Sequence, residues 1–324
     1  MSRKRPRTES TDENGENNKS LQATTSLITD QDSDLPLQFE PSIFAFKPSN
    51  DFVRFVSDFL YEHVNKDNIE IEAKLGVLLS KDTKTRIDMP VTCETIIHRS
   101  EEHRCQFESN MTPQQHCHFN NILNARVNHT MNPSYQGAPV KYKHTKETDR
   151  FYRTESGNKI RVTTDQSSGQ ILEGGVVEKI RIANLNIYSP NTHLDYRITV
   201  NIEKPRLNLS WVGLLFCVKG PMPKSQPDFE RNKDRMTYLH QIFKFDLTQV
   251  KIPERPSQNG VRAPSQEVTH ELEVEFVDPT ILLRERQKIE KGLPNRFMEV
   301  VEVFLDNIRI LAKKDMDCPQ EIKK

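Results

Sequence analysis

Residues 69–75, IEIEAKL, alternate: Ile69, Ile71, Ala73 and Leu75 fall on one side, Glu70, Glu72 and Lys74 on the other. Successive side chains of a strand point to opposite faces, so the pattern predicts a strand with one apolar and one charged face. The alternation recurs between about 139 and 277. Lys159, Arg161, Thr163 and Asp165 oppose Ile160 and Val162, and Lys179 and Arg181 oppose Glu178. Arg197, Thr199, Asn201 and Glu203 oppose Ile198, Val200 and Ile202, and Lys233, Arg235 and Thr237 share a face. Lys244, Asp246 and Thr248 oppose Phe243, Phe245 and Leu247, and Glu271, Glu273 and Glu275 oppose Leu272, Val274 and Phe276. Helical spacing appears at Phe52, Phe55, Val56, Phe59 and Leu60, with Ser49 as N-cap, and again after Thr112–Pro113, a cap followed by Pro in the first turn. The stretch 279–313 reads as two helices split at Gly292–Pro294.

Polar-out, apolar-in strands are ordinary in antiparallel sheets, and a scaffold sheet with surface ion pairs is the plainest reading. Two features point elsewhere. ELEVE carries three acids and no base, while KIR, KDR and a second KIR are rich in bases. Like charges two apart on one strand repel, so each cluster needs something to neutralise it. A closed barrel with a polar lumen, its apolar outer face packed by helices, gives both faces a role. The fold class expected is therefore α+β: an eight-stranded antiparallel β-barrel with helices outside.

Global charge adds little. Lys plus Arg and Asp plus Glu are 46 each among 324 residues, so attraction to phosphate must be local. Residues 1–34 are poor in apolar side chains and read as a disordered tail, leaving 35–324 as a single folded domain. In the tail, RKRPR (3–7) reads either as a nuclear import signal or as an incidental basic patch. The five cysteines lack CxxC spacing, which argues for a reducing compartment. No apolar run approaches a membrane span and no leader pattern opens the chain, so an intracellular protein without membrane contact is expected.

Glu70, Glu72, Glu271, Glu273 and Glu275 offer hard oxygens suited to Mg²⁺ or Mn²⁺. Arg161, Lys179, Arg197, Lys233, Arg235 and Lys244 suit phosphate oxygens. Acids for a cation and bases for an anion are the equipment of metal-assisted phosphoryl transfer, and no P-loop motif is present.

Six stretches, IEIEAKLGV, IRVTTD, DYRITVNIE, RNKDRMTYLH, DLTQV and HELEVEF, together resemble the triphosphate tunnel metalloenzymes, in particular the fungal-type metal-dependent mRNA-capping RNA 5′-triphosphatases. The resemblance spans 69–277. It implies removal of the γ-phosphate from the 5′ end of nascent RNA in the nucleus. It implies Glu70, Glu72 and Glu275 as metal ligands, with Glu273 and Asp246 behind them holding metal-bound water. Arg161, Lys233 and Arg235 would clamp the γ-phosphate, and Glu203 would orient or deprotonate the attacking water. Lys74, Lys179, Arg181, Arg197, Lys244, Thr248 and Glu271 would support the tunnel. Implied partners are the 5′-triphosphate RNA, a guanylyltransferase or the RNA polymerase II tail, and a second copy in a homodimer. Where the branch often has Arg, this chain has Lys244, which loses the guanidinium fork, and Trp211 is its only Trp. Two other functions remain open: a tripolyphosphatase or other triphosphate hydrolase of the same fold, and a non-catalytic RNA- or phosphate-binding module. The luminal acids weigh against the second, since without a cation they repel phosphate.

Overall fold

The computed structural model describes residues 39–153, 159–205, 226–253 and 267–318. The tail boundary expected near 34, the RKRPR cluster and Trp211 lie outside these residues. The described residues divide between Pro48 and Ser49 into two units. In the first, a turn is closed by Ser42 Oγ donating to the Phe46 carbonyl at 2.6 Å, with Ala45 at φ 58°.

The second unit is built on strands β1 (Ile69–Ser80), β2 (Thr95–Ile96), β3 (Cys105–Glu108), β4 (Lys141–Arg153) and β5 (Lys159–Asp165). β6 (Ile171–Tyr188), β7 (Asp195–Pro205), β8 (Phe229–His240), β9 (Phe243–Ile252) and β10 (Glu267–Phe276) complete the set. Eight of them run in the order β10-β9-β8-β4-β5-β6-β7-β1, every pair antiparallel, and β10 returns to β1. This is the closed eight-stranded barrel that the alternation predicts. β2 and β3 lie outside the ring, on β6 and on the distal half of β1.

Among the described residues four α-helices cover the barrel: α1 (Asp51–His63), α2 (Pro113–Thr130), α3 (Thr280–Glu290) and α4 (Phe297–Lys314). Asn50, not Ser49, caps α1, its side chain accepting from Phe52 N and Val53 N at 3.0 and 3.3 Å. The two neighbours are chemically similar caps, and only backbone geometry chooses between them. Thr112 caps α2 in a reciprocal box with Gln115, as the Thr-Pro pair suggests. α3 gives way to α4 through Gly292 at φ 65°, a left-handed conformation that costs glycine nothing.

The core lies outside the barrel, between strands and helices. Ile71, Ala73, Leu75, Ile198, Val200, Leu247, Leu272 and Val274 are fully buried there, against Val56, Leu60, Val301 and Phe304. Phe304 of α4 meets the Phe276 ring at 4.8 Å and Phe243 at 5.9 Å. Among the described residues no helix is long and apolar enough to cross a membrane. Where a strand has an apolar face, as in β1, β7, β9 and β10, that face is occupied by core packing, and the charged face is turned inward.

Candidate active site

The lumen encloses a cavity of about 350 Å³. Of its nineteen lining residues seventeen are charged, nine basic and eight acidic. Such a lining needs internal neutralisation, because burying an isolated charge is costly. The register provides it by setting unlike charges on adjacent strands.

Three carboxylates meet at the β1–β10 seam. Glu72 lies opposite Glu275, with Glu70 two residues away on β1. One oxygen from each of Glu70, Glu72 and Glu275 lies within 4.8 Å of the others. Asn201 Nδ2, on β7, donates to Glu70 at 2.8 Å and to Glu72 at 3.1 Å. Lys179 forms an ion pair with Glu70 and lies 3.5 Å from Glu72. Lys244 pairs with Glu275 at 2.9 Å. Burial pushes the Glu275 carboxyl up to about 8, Lys244 opposing the rise and Glu70 and Glu72 adding to it. A cluster with that much self-repulsion fits a cation, and its all-oxygen donor set fits Mg²⁺ or Mn²⁺.

The bases sit on β5 and β8. Lys233 is buried and ion-paired with Asp149. Burial and the nearby Arg235, Arg231 and Arg161 pull its ammonium down to about 8, against Asp149. Arg235 lies 3.5 Å from Asp246 and 3.9 Å from Glu147. Asp246, itself buried, also accepts from Thr237 Oγ1. Arg161 Nη2 donates to Glu203 at 3.1 Å. The Nε atoms of Arg161 and Arg235 are buried without a protein partner, so each guanidinium keeps a donor uncommitted. Burial would raise the Glu203 carboxyl, but Arg161 and Lys179 hold it below the ordinary range. Lys74 pairs with Glu273, whose carboxyl Lys74, Arg235 and Lys233 hold far down despite burial.

Most of the residues singled out in the sequence converge here. Three stand apart from the cavity wall. The Arg197 guanidinium lies over the Phe107 ring at 4.7 Å and donates to Asn186. Thr248 is buried between its ladder neighbours, and Glu271 accepts from Arg231. β4 contributes Glu147, Asp149 and Phe151, and β8 adds Arg231, none of which the sequence reading singled out. Both faces of this stretch are polar, Lys146, Thr148 and Arg150 lying between Thr145, Glu147, Asp149 and Phe151, so no apolar alternation marked its inward face.

Residues 46–316 match the family model described as mRNA capping enzyme, beta chain. The chain belongs to this family. It is 37% identical over 271 residues to the mRNA-capping enzyme subunit beta of Schizosaccharomyces pombe, covering 82% of this chain and 81% of that protein. The Cryptococcus neoformans mRNA-capping enzyme subunit beta is 33% identical over 279 residues, 84% of this chain and 64% of that protein. Among solved structures, the S. pombe Pct1 RNA triphosphatase superposes with a TM-score of 0.72 at 34% identity, covering 86% of this chain and 99% of that one. The same protein in complex with the Spt5 CTD matches with the same figures. Membership of the capping-enzyme beta chain family agrees with the resemblance read from the six strand motifs.

Proposed function

We infer that this chain is an mRNA 5′-triphosphatase: it hydrolyses the γ-phosphate from 5′-triphosphate RNA, leaving a diphosphate end and inorganic phosphate, the first step of capping. The observation that supports this most directly is the shared cavity of the Glu70–Glu72–Glu275 cluster and the Arg161–Lys233–Arg235 bank, in a chain of the capping-enzyme beta family.

The residues divide the work by their geometry. Arg161 on β5 and Lys233 and Arg235 on β8, the strands either side of β4, bind the γ-phosphate oxygens, on which negative charge is held through an in-line displacement. Asp149, Glu147 and Asp246 orient these cations before substrate arrives. Glu203 lies between Arg161 and Lys179, at 3.1 and 3.6 Å, where a carboxylate can align a water and take its proton. The water oxygen bonds to the γ-phosphorus as the bond to the bridging oxygen of the β-phosphate breaks. Glu70, Glu72 and Glu275 would hold a divalent ion, which would supply charge withdrawal from the phosphate oxygens. Asn201 and Lys179 fix the two β1 carboxylates for that role, while Lys74 and Glu273 fix one another beside them.

The finer assignments rest on the same reading: Mg²⁺ or Mn²⁺ as the ion, the nucleus as the site of action, and a homodimer as the assembled state. A guanylyltransferase or the RNA polymerase II tail as partner belongs to the same reading; the name of the relatives, subunit beta of a capping enzyme, and the Spt5 CTD complex of Pct1 support a protein partner. The deciding experiment measures phosphate release from γ-labelled triphosphate RNA, with Mg²⁺ and with EDTA, for wild type and Glu275→Ala. Metal-dependent release of the γ-phosphate alone, lost in the variant, is expected. Release from tripolyphosphate but not from RNA would leave the hydrolase and overturn its substrate.

A further inference from the structure

Seven of the nine cations lining the cavity have a carboxylate partner inside it or behind it: Lys74, Arg161, Lys179, Arg231, Lys233, Arg235 and Lys244. Lys159 and Arg181 have none among the described residues, and both are exposed. They lie close together. Ile160 faces Glu178 in the β5–β6 ladder, which sets Lys159 beside Lys179, and Arg181 follows Lys179 on the same face. The one aromatic ring in the cavity lining, Phe151, is beside them: Lys159 Nζ lies 4.5 Å from its centroid. Phe229 packs on Phe151 at 5.7 Å.

We propose that this rim, Phe151 with Lys159 and Arg181, is where the RNA chain itself enters and is gripped, distinct from the bank that holds the γ-phosphate. The proposal rests on the reading of the chain as an RNA triphosphatase and specifies which part of the substrate each end of the lumen meets. Cations committed to carboxylates inside the tunnel neutralise the tunnel; cations left unpaired at its edge are available to an incoming anion. A triphosphate is followed by a ribose, a base and then a phosphodiester. An aromatic ring flanked by unpaired bases matches that sequence, because every base has a stackable face and every linkage a charge. The mouth therefore distinguishes a polynucleotide from a bare polyphosphate without reading sequence.

The test compares γ-phosphate release from triphosphate RNA of several nucleotides with release from inorganic tripolyphosphate, for wild type, Lys159→Glu and Phe151→Leu. Lys159 is exposed, and Leu keeps an apolar side chain at 151, so both variants spare the fold. The expected result is a KM for RNA raised about five- to tenfold in each variant, at little change in kcat, because lost contacts to the distal chain are uniform binding. Tripolyphosphate hydrolysis stays within about twofold, and the salt dependence of RNA binding weakens in Lys159→Glu as a phosphate contact is lost. Equal losses on RNA and tripolyphosphate, or no loss on either, would overturn the rim. A wild-type enzyme active on tripolyphosphate and inert on RNA would overturn the RNA reading and the rim with it, and is recognised before any variant is made.

Discussion

Lys233 differs from an ordinary lysine in a way that a titration can read. Asp149 and Glu147 of β4 face it, with Arg161 of β5, Glu273 of β10 and Arg231 and Arg235 of its own strand. Burial and the three arginines outweigh the pull of Asp149 and lower its pKa from 10.5 to about 8. Above about 8 the free enzyme loses this charge, so kcat/KM for triphosphate RNA should decline on the alkaline side. A bound phosphate favours the ammonium, so kcat should hold to higher pH. Lys233→Arg, permanently charged, should shift the alkaline limb of kcat/KM upward even if its plateau is lower; a pH–rate profile of both enzymes checks this. The sign for stability is opposite. The unfolded chain binds more protons between about 8 and 10.5, so the cost of burying this charge is relieved as pH rises through that window.

The metal-cluster acids should separate activity from folding. Glu70→Ala, Glu72→Ala and Glu275→Ala each remove one member of a self-repelling group. Turnover should drop by at least about 10²–10³, as for loss of a preorganised electrostatic contact, while thermal midpoints stay near wild type. Glu70→Ala with near wild-type turnover would sink the metal assignment. Glu273→Ala should behave differently. It removes the nearer of the two carboxylates paired with Lys74, leaving Glu72 at 3.7 Å, at a largely buried position where removing one member of an ion pair costs up to about 3–5 kcal/mol. A scaffold sheet with exposed ion pairs would lose at most about 1 kcal/mol on the same substitution, so denaturant titration distinguishes the two.

At the scale of elements, the alternation was legible because a strand's facing depends only on i, i+2 spacing. The helix caps were legible to within one residue, Thr112 correctly and the α1 cap displaced from Ser49 to Asn50. Thr112→Ala removes the acceptor of the Gln115 N–H and should cost about 1 kcal/mol in chemical denaturation. Gly76 was not legible. It keeps the phase of Glu70, Glu72 and Lys74 but lies where β3 crosses close to β1: a Cβ there would approach the Glu108 carbonyl oxygen to 2.2 Å. Gly76→Ala must push β3 away, with a loss of about 1–3 kcal/mol as for other overpacked sites, measurable as a lowered thermal midpoint. Nothing in the local pattern near residue 76 announces Glu108, because the contact spans two strands.

For the molecule as a whole, the closure of the barrel is its thinnest joint. Three Cα pairs, Glu72 to Lys74 with Glu273 to Glu275, join β1 to β10, against eight joining β1 to β7. The proposed metal ligands straddle that seam. Binding there holds the native ring and not the unfolded chain, so excess Mg²⁺ or Mn²⁺ should raise the thermal midpoint; at 100-fold over Kd the linkage is worth about 2.7 kcal/mol. Glu72→Ala should abolish the shift, and amide exchange at residues 72–74 should slow on metal addition in wild type alone. A midpoint insensitive to either ion would remove the seam from the metal site. The chain alone determined that its strands have a charged and an apolar face, which residues share each face, and that acids for a cation and bases for an anion were both supplied. Those are local properties of spacing and chemistry. Only the tertiary structure decided which charge neutralises which, that β4 brings Glu147 and Asp149 beside Lys233 and Arg235, that Arg197 turns to Phe107, and that Lys159 and Arg181 have no carboxylate partner among the described residues. Each depends on the order and register of strands distant in sequence, and pairing between distant segments leaves no trace in the spacing of neighbours.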